Sequence, residues 1–147
     1  MLKYDIRPAL ESESPHIKHL IHEGGINPMG LDWRRFLVAV EENGQVIGCG
    51  QLKPHGQDIL ELASIAVTPN YQNQGVARKI IEMLLAQSLR PLYLMCIEHN
   101  GPMYEKFGFR AIELDEMPRY FQRMRKLFDL SKAVRKIDEG LWVMKLG

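Results

Sequence analysis

Apolar residues along this chain gather into short runs of strand length that alternate with stretches of helical period. Residues 3–7 (KYDIR) suit a short strand ended by Pro8. Ser12, Glu13, Ser14 and Pro15 open a helix to about His22, since proline suits a first turn, and Gly24 and Gly25 stop it. Residues 26–35 read as loop or short helix. The runs FLVAVEE (36–42) and QVIGCGQLK (45–53) flank Asn43-Gly44, a strong hairpin signal. ILELASIAV (59–67) is almost continuously apolar and reads as a central strand, closed by Thr68-Pro69-Asn70. Val76, Ile80, Met83 and Leu84 give a helix over about 75–88, which Arg90-Pro91 breaks. LYLMCI (92–97), a short helix at 101–106, FRAIE (109–113) and LWVMKL (141–146) complete the pattern. Between the last two strands, Met117, Tyr120, Phe121, Met124, Leu127 and Phe128 recur at helical intervals and predict a helix across 115–138. Strands and helices mixed in this way predict a layered α/β (α+β) fold.

With 147 residues, no linker and no repeat, the chain is expected to form a single domain. Hydrophobic residues at 46% and charged residues at 25% suit a soluble globular protein. The formal charge of +1 argues against a nucleic-acid or membrane binder as a whole. No apolar run approaches the ~20 residues of a membrane span, and the opening MLKYDIRPALESE does not read as a signal peptide. A cytoplasmic location is therefore expected. The charge is uneven: after Asp115 and Glu116 at its start, the 115–138 helix carries Arg119, Arg123, Arg125, Lys126, Lys132, Arg135 and Lys136 against Asp129 and Asp138. Cys49 and Cys96 sit in apolar runs and read as core residues. His16, His19 and His22 lie opposite the apolar face of their helix and lack the i, i+4 spacing of a zinc pair, so no metal is expected.

The chemistry concentrates between Glu61 and Lys79, where a buried strand runs through a polar turn directly into a helix. The first N–H groups of such a helix have no intrahelical partners and can receive a phosphate. Gly75 permits close backbone approach, Ala77 keeps the next position open, and Arg78 and Lys79 add positive charge. On these residues alone, an ordinary strand-turn-helix with a packing glycine reads equally well.

Gln72-Asn73-Gln74-Gly75-Val76-Ala77 resembles the pyrophosphate-binding signature Gln/Arg-x-x-Gly-x-Gly/Ala of the GNAT superfamily of acetyl-CoA-dependent N-acetyltransferases. Asn100-Gly-Pro-Met-Tyr104-Glu-Lys-Phe-Gly-Phe109 resembles its second signature, about 28 residues farther on. The resemblance covers roughly residues 3–113 and the last strand, and the 115–138 helix replaces a usually short connection. It implies a mixed, mostly antiparallel central sheet flanked by helices, with a helical insertion before the last strand. It also implies acetyl-CoA as donor, with the strand at 59–67 splayed from that at 92–97 and the pantetheine arm in the gap, bonding backbone near Ile65, Ala66 and Val67. Amides from Gln72 to Ala77, with Arg78, would take the pyrophosphate, and the Val67 N–H would polarise the thioester carbonyl. Asn100 and Tyr104 come from the second signature.

A thioester is already activated, so a deprotonated amine held in line can attack it directly. What remains is to remove a proton from the ammonium and to protonate the departing thiolate. Tyr104 resembles the family's general acid, the alternative being a ring packed on the cofactor. Glu61, alone in an apolar strand, is the candidate base, and its offset from Gln72 resembles the glutamate of the histone-acetyltransferase branch. Its alternatives are an ion-paired glutamate or one that only orients the amine. His55 and His99 are minor candidates, of which His99, just before Asn100, is placed to assist proton transfer. Trp33, followed by Arg34 and Arg35, lies in the region that walls the acceptor in related enzymes, though surface packing explains it as well. The basic insertion reads as a lid whose Arg119 or Arg123 attracts an acidic substrate, as an extra core layer, or as a homodimer contact through Phe121, Met124 and Phe128. The expected acceptor is a small-molecule amine such as an amino acid. A protein lysine or N-terminus, and a non-catalytic acyl-CoA sensor, are the alternatives.

Overall fold

A computed structural model describes residues 2–136 and 138–147. Seven strands form one mixed sheet in the order β1-β2-β3-β4-β5-β7-β6. The chain divides into two compact units, one running to Lys53 and joined by Leu62–Ser88, the other made of Pro54–Glu61 and Leu89–Gly147. Among the described residues no helix is long and apolar enough to cross a membrane.

The first unit holds β1 (Tyr4–Pro8), α1 (Ser14–Glu23), β2 (Phe36–Glu41), most of β3 (Val46–His55), the later part of β4 (Ile59–Val67) and α2 (Val76–Gln87). β1 pairs β2 antiparallel from Tyr4↔Glu41 to Pro8↔Leu37, and β2 pairs β3 antiparallel with a register shift at Ala39/Val40. At the β2–β3 turn only Gly44 has a positive φ, and the Asn43 side chain accepts from the Gln45 N–H. α1 buries Ile17, Leu20 and Ile21 against Phe36, Val38, Val40 and Cys49, leaving His16, His19 and His22 exposed. Its start differs from the expected Ser12. A 3₁₀ turn at Glu11–Glu13 comes first, and the Glu13 carboxylate accepts from the Leu10 N–H at 2.8 Å and from both guanidinium nitrogens of Arg7. α2 buries Val76, Ile80, Ile81 and Leu84, so Ile81 replaces the expected Met83 on the core face. The helix lies close because β3 offers Gly50 there: a Cβ on Gly50 would come within 2.8 Å of Ile80 and 3.1 Å of Leu84.

The second unit is built on β5 (Leu92–Ile97), β7 (Leu141–Leu146) and β6 (Arg110–Ala111), with α3 (Gly101–Glu105) and α4 (Arg119–Arg135). β5 pairs β7 antiparallel through six residues, and β7 pairs β6 on its other edge. β4 runs parallel to β5 with one registered pair, Glu61↔Tyr93. Two expectations change here. The strand expected over 109–113 narrows to Arg110–Ala111, because Phe109 and Ile112 turn into the core. The 115–138 helix shortens to Arg119–Arg135: Pro118 has an extended backbone before it, and Lys136 closes it with φ of +54°. Ile137, within that expected span, lies outside the described residues. Met117 and Phe121 are buried with Tyr93, Ile112 and Val143, and Tyr120 packs beside them. Leu127, expected on the apolar face, is exposed, as are Leu130 and Val134.

Candidate active site

In the first unit, β4 ends at Val67 and the turn to α2 is pinned at both ends. The Thr68 N–H and hydroxyl both donate to the Ile47 carbonyl, at 2.9 and 2.8 Å. The Gln72 side-chain amide donates back to the Val67 carbonyl at 3.0 Å, and that of Gln74 donates to the Asn70 carbonyl at 3.3 Å. Gly75 is the N-cap of α2 with φ of +86°, and a Cβ there would meet nothing within 4 Å. Its glycine therefore serves the left-handed backbone and not a packed neighbour. The Lys79 N–H is the first seen to bond back, to the Gly75 carbonyl at 3.1 Å, so the amides of Val76, Ala77 and Arg78 make the donor-rich start of the helix. Residues 72–75 are exposed around it. Neither cation extends freely from this turn: Arg78 pairs with Glu82 at 3.2 Å, and the Lys79 ammonium lies 5.4 Å from the centre of the Tyr4 ring.

Earlier in β4, Ser64 is buried at φ of +62°, a left-handed residue inside a strand. Its hydroxyl accepts from the Gln51 amide at 2.9 Å, and its carbonyl accepts from the Cys49 thiol. Gln51 also donates to the Gly30 carbonyl, and Lys53 donates to the Met29 carbonyl at 2.8 Å, so buried β3 side chains hold the 27–32 loop. This local break in strand geometry was not legible in the sequence, because serine signals no such conformation. Ile65 and Val67 are half-buried and Ala66 is buried.

In the second unit, Glu61 is the one charged residue of its apolar strand, and His55 at the end of β3 reaches it. Glu61 is 3% exposed, and its Oε1 lies 2.7 Å from Nε2 of His55. Sequence reasoning treated His55 as minor. The signal was available, since a Gly56–Asp58 turn and a strand period of two put residues 55 and 61 on one face. Tyr104 on α3 is half-buried, with its ring against Phe109 at 6.2 Å. Burial, and secondarily the nearby Cys96, pushes its phenol well above the ordinary value, which keeps the proton on oxygen. Asn100 is exposed at the N-cap of α3, and His99 is exposed in the 3₁₀ turn before it.

Burial pushes the Cys49 thiol up to about 12 and the Cys96 thiol up to about 11, so neither is a thiolate near neutrality. Trp33 is partly buried against the α1 core cluster. Arg119 and Arg123 are exposed on α4. Thus Glu61, Tyr104 and α4 belong to one unit, and Trp33 and the 72–77 turn to the other.

Comparison with known proteins bears on this arrangement. Residues 32–111 match the family profile described as "Acetyltransferase (GNAT) domain". The N-acetyltransferase YhbS of Escherichia coli K12 is 30% identical over 111 residues, 71% of this chain and 63% of YhbS. The amino-acid acetyltransferase of Mycobacterium tuberculosis H37Rv is 26% identical over 141 residues, 87% of this chain and 81% of that protein. Among solved structures, Rv2747 of M. tuberculosis in complex with CoA has a TM-score of 0.72 at 28% identity, covering 97% of this chain and 98% of that one. N-acetylglutamate synthase of Neisseria gonorrhoeae, complexed with coenzyme A and N-acetyl-glutamate, shares the fold with a TM-score of 0.72 at 22% identity. This chain is covered fully in that match but spans only 36% of the synthase, and it spans 63% of YhbS. A profile matching over half of the chain, across the strand-turn-helix and the α3 segment, makes this chain a member of the GNAT acetyltransferase family.

Proposed function

We propose that this protein transfers the acetyl group of acetyl-CoA to the primary amine of a small molecule, with an amino acid as the leading acceptor class. The observation that carries the reading is the start of α2. A left-handed Gly75 and the amides of Val76, Ala77 and Arg78 supply donors and a positive dipole end suited to a pyrophosphate. Gln72, Asn73 and Gln74 complete that cradle, and the backbone of Ile65, Ala66 and Val67 bonds the pantetheine arm. The Val67 N–H faces the oxygen on which charge develops. Asn100 contributes from the start of α3. Similarity to an amino-acid acetyltransferase over 87% of the chain supports the acceptor class.

In the reaction, Glu61 takes a proton from the acceptor ammonium. The freed amine attacks the thioester carbon, a C–N bond forms and the C–S bond breaks. The departing thiolate takes the proton of the Tyr104 hydroxyl, which burial keeps in place at neutral pH, and the second proton of the acylated nitrogen passes through solvent to restore the Tyr104 hydroxyl. Trp33, Arg119 and Arg123 are the residues assigned to acceptor recognition, the arginines through an acidic group on the substrate.

The test pairs calorimetric titration of acetyl-CoA with a thiol-release assay on free amino acids, small amines and peptides. Gly75→Glu, which puts a carboxylate into the cradle, is expected to weaken acetyl-CoA binding at least tenfold. Release with free amino acids supports the acceptor class, and release with peptides alone moves it to proteins. Equal binding by the variant overturns the cradle assignment, and binding without any release would make the protein an acyl-CoA sensor.

A further inference from the structure

The helical insertion carries a feature that the general family pattern leaves without a role, and it lies wholly within the second unit. Glu61 has a side chain only 5% exposed, and His55 beside it has 14%. An ionised carboxylate so far from water needs donors, and Nε2 of His55 lies within hydrogen-bond reach at 2.7 Å. For that contact to hold a carboxylate, the proton sits on Nε2 and the imidazole donates. The imidazole is itself held. The Tyr120 ring lies over its face at 3.7 Å between centroids and 24° between planes, and Phe121 meets it edge-on at 5.9 Å. Phe121 is fully buried and stacks on Tyr93, the residue in register with Glu61. Two consecutive aromatic residues at the start of α4 therefore fix the ring that contacts the candidate base.

We propose that His55 is a positioning residue for acetyl transfer, its Nε2–H fixing the Glu61 carboxylate for proton abstraction, and that α4 acts in catalysis by clamping His55 through Tyr120. The inference rests on Glu61 acting as base. No proton leaves His55: the acceptor ammonium gives its proton to Glu61, the imidazole keeps its own, and Glu61 later returns its proton to solvent. Titratable groups near the pair include the Tyr120 phenol on α4 and Tyr93 on β5, with the Lys145 ammonium of β7 5.8 Å from the centre of the Tyr93 ring, and the buried Lys53 two residues before His55 on β3, whose ammonium donates to the Met29 carbonyl. Burial and the Glu61 charge both push the Tyr120 phenol upward, so it stays neutral through the working range.

The variants His55→Phe, His55→Gln, Tyr120→Ala and Glu61→Gln separate the donor from the ring. Phenylalanine keeps the stacking and loses the donor. Glutamine keeps an N–H donor near Nε2 and loses the ring. His55→Phe is expected to lower kcat about 10- to 100-fold with acetyl-CoA affinity unchanged. Its kcat/KM profile should rise at higher pH than that of the wild type, because removing a donor makes the buried carboxylate harder to ionise. His55→Gln is expected to recover most of kcat. Tyr120→Ala should lower kcat in the wild-type background and change little once His55 is phenylalanine.

A wild-type kcat and pH profile in His55→Phe overturns the proposal. So do equal losses in both His55 variants with matching falls in Tm, which would make the residue purely structural. Full activity in Glu61→Gln, alongside an active wild type, overturns it while leaving the acetyltransferase reading intact. A wild type that releases no thiol with any acceptor overturns both.

Discussion

Tyr104 and Glu13 are both shifted from their ordinary titration, in opposite directions and for different reasons. The Tyr104 phenol is raised because burial penalises its anion, so it remains a proton donor well beyond neutrality. Tyr104→Phe should lower kcat by about 10²- to 10³-fold while leaving acetyl-CoA affinity unchanged, read by thiol release and calorimetry. With the proton held this firmly, the wild-type rate should stay on its plateau past pH 10, the ordinary range of tyrosine. Glu13 is lowered, chiefly by the Arg7 guanidinium, which bonds both carboxylate oxygens at 2.9 and 2.8 Å. A carboxylate with a lowered folded value contributes stability above its unfolded pKa, about 4.3, and loses it as the pH falls through the folded value. Glu13→Gln should cost roughly 1–2 kcal/mol at pH 7, because the Leu10 N–H also loses a charged acceptor. The difference between the two urea midpoints should narrow as the pH drops below about 4.

At the scale of the element, α3 shows how a turn carries chemistry by fit. A Cβ on Gly101 would occupy the space of the Trp142 ring, so the helix can start there only with glycine. Gly101→Ala should displace the helix that carries Tyr104 and lower kcat at least tenfold. It should also cost about 1–3 kcal/mol of stability, a Tm fall of about 2–4 °C for each kcal/mol at this size. What was legible in the sequence follows from how local each element is. The strands at 59–67, 92–97 and 141–146 have their expected bounds, because uniform apolar runs flanked by turn residues leave little choice. α4 is shorter than its apolar spacing predicts, since Pro118 and Lys136 outweigh periodicity at its ends. The 72–77 turn was legible from its glycine and polar neighbours, whereas the His55–Glu61 contact needed the hairpin to be folded in mind. Ser64 gave no warning at all, because its left-handed backbone answers to Gln51 and Cys49 and not to its own preference.

For the whole chain, the near-neutral charge conceals where the basic residues go. Six of the 19 lie on α4 against the single acid Asp129, on a helix whose start is anchored by Phe121 and whose later turns expose Leu127, Leu130 and Val134. Phe121→Ala should therefore act on two observables together. Emptying a fully buried aromatic site costs about 3–5 kcal/mol, and releasing its neighbour Tyr120 from His55 should lower kcat in the population that stays folded. Urea denaturation and thiol release measured on the same preparation would show whether the two fall together.

The order β5-β7-β6 places the strand latest in sequence between two that precede it. Its consequence belongs to synthesis on the ribosome. Among the described residues β6 is registered with β7 alone, and the β5 edge that β7 will cover stays open while residues 98–140 are made. At ~5–20 residues per second that interval lasts roughly 2–9 s. An open edge is where one nascent chain could pair with another, and the segment emerging during the wait is the arginine- and lysine-rich α4, whose like charges keep neighbouring chains apart.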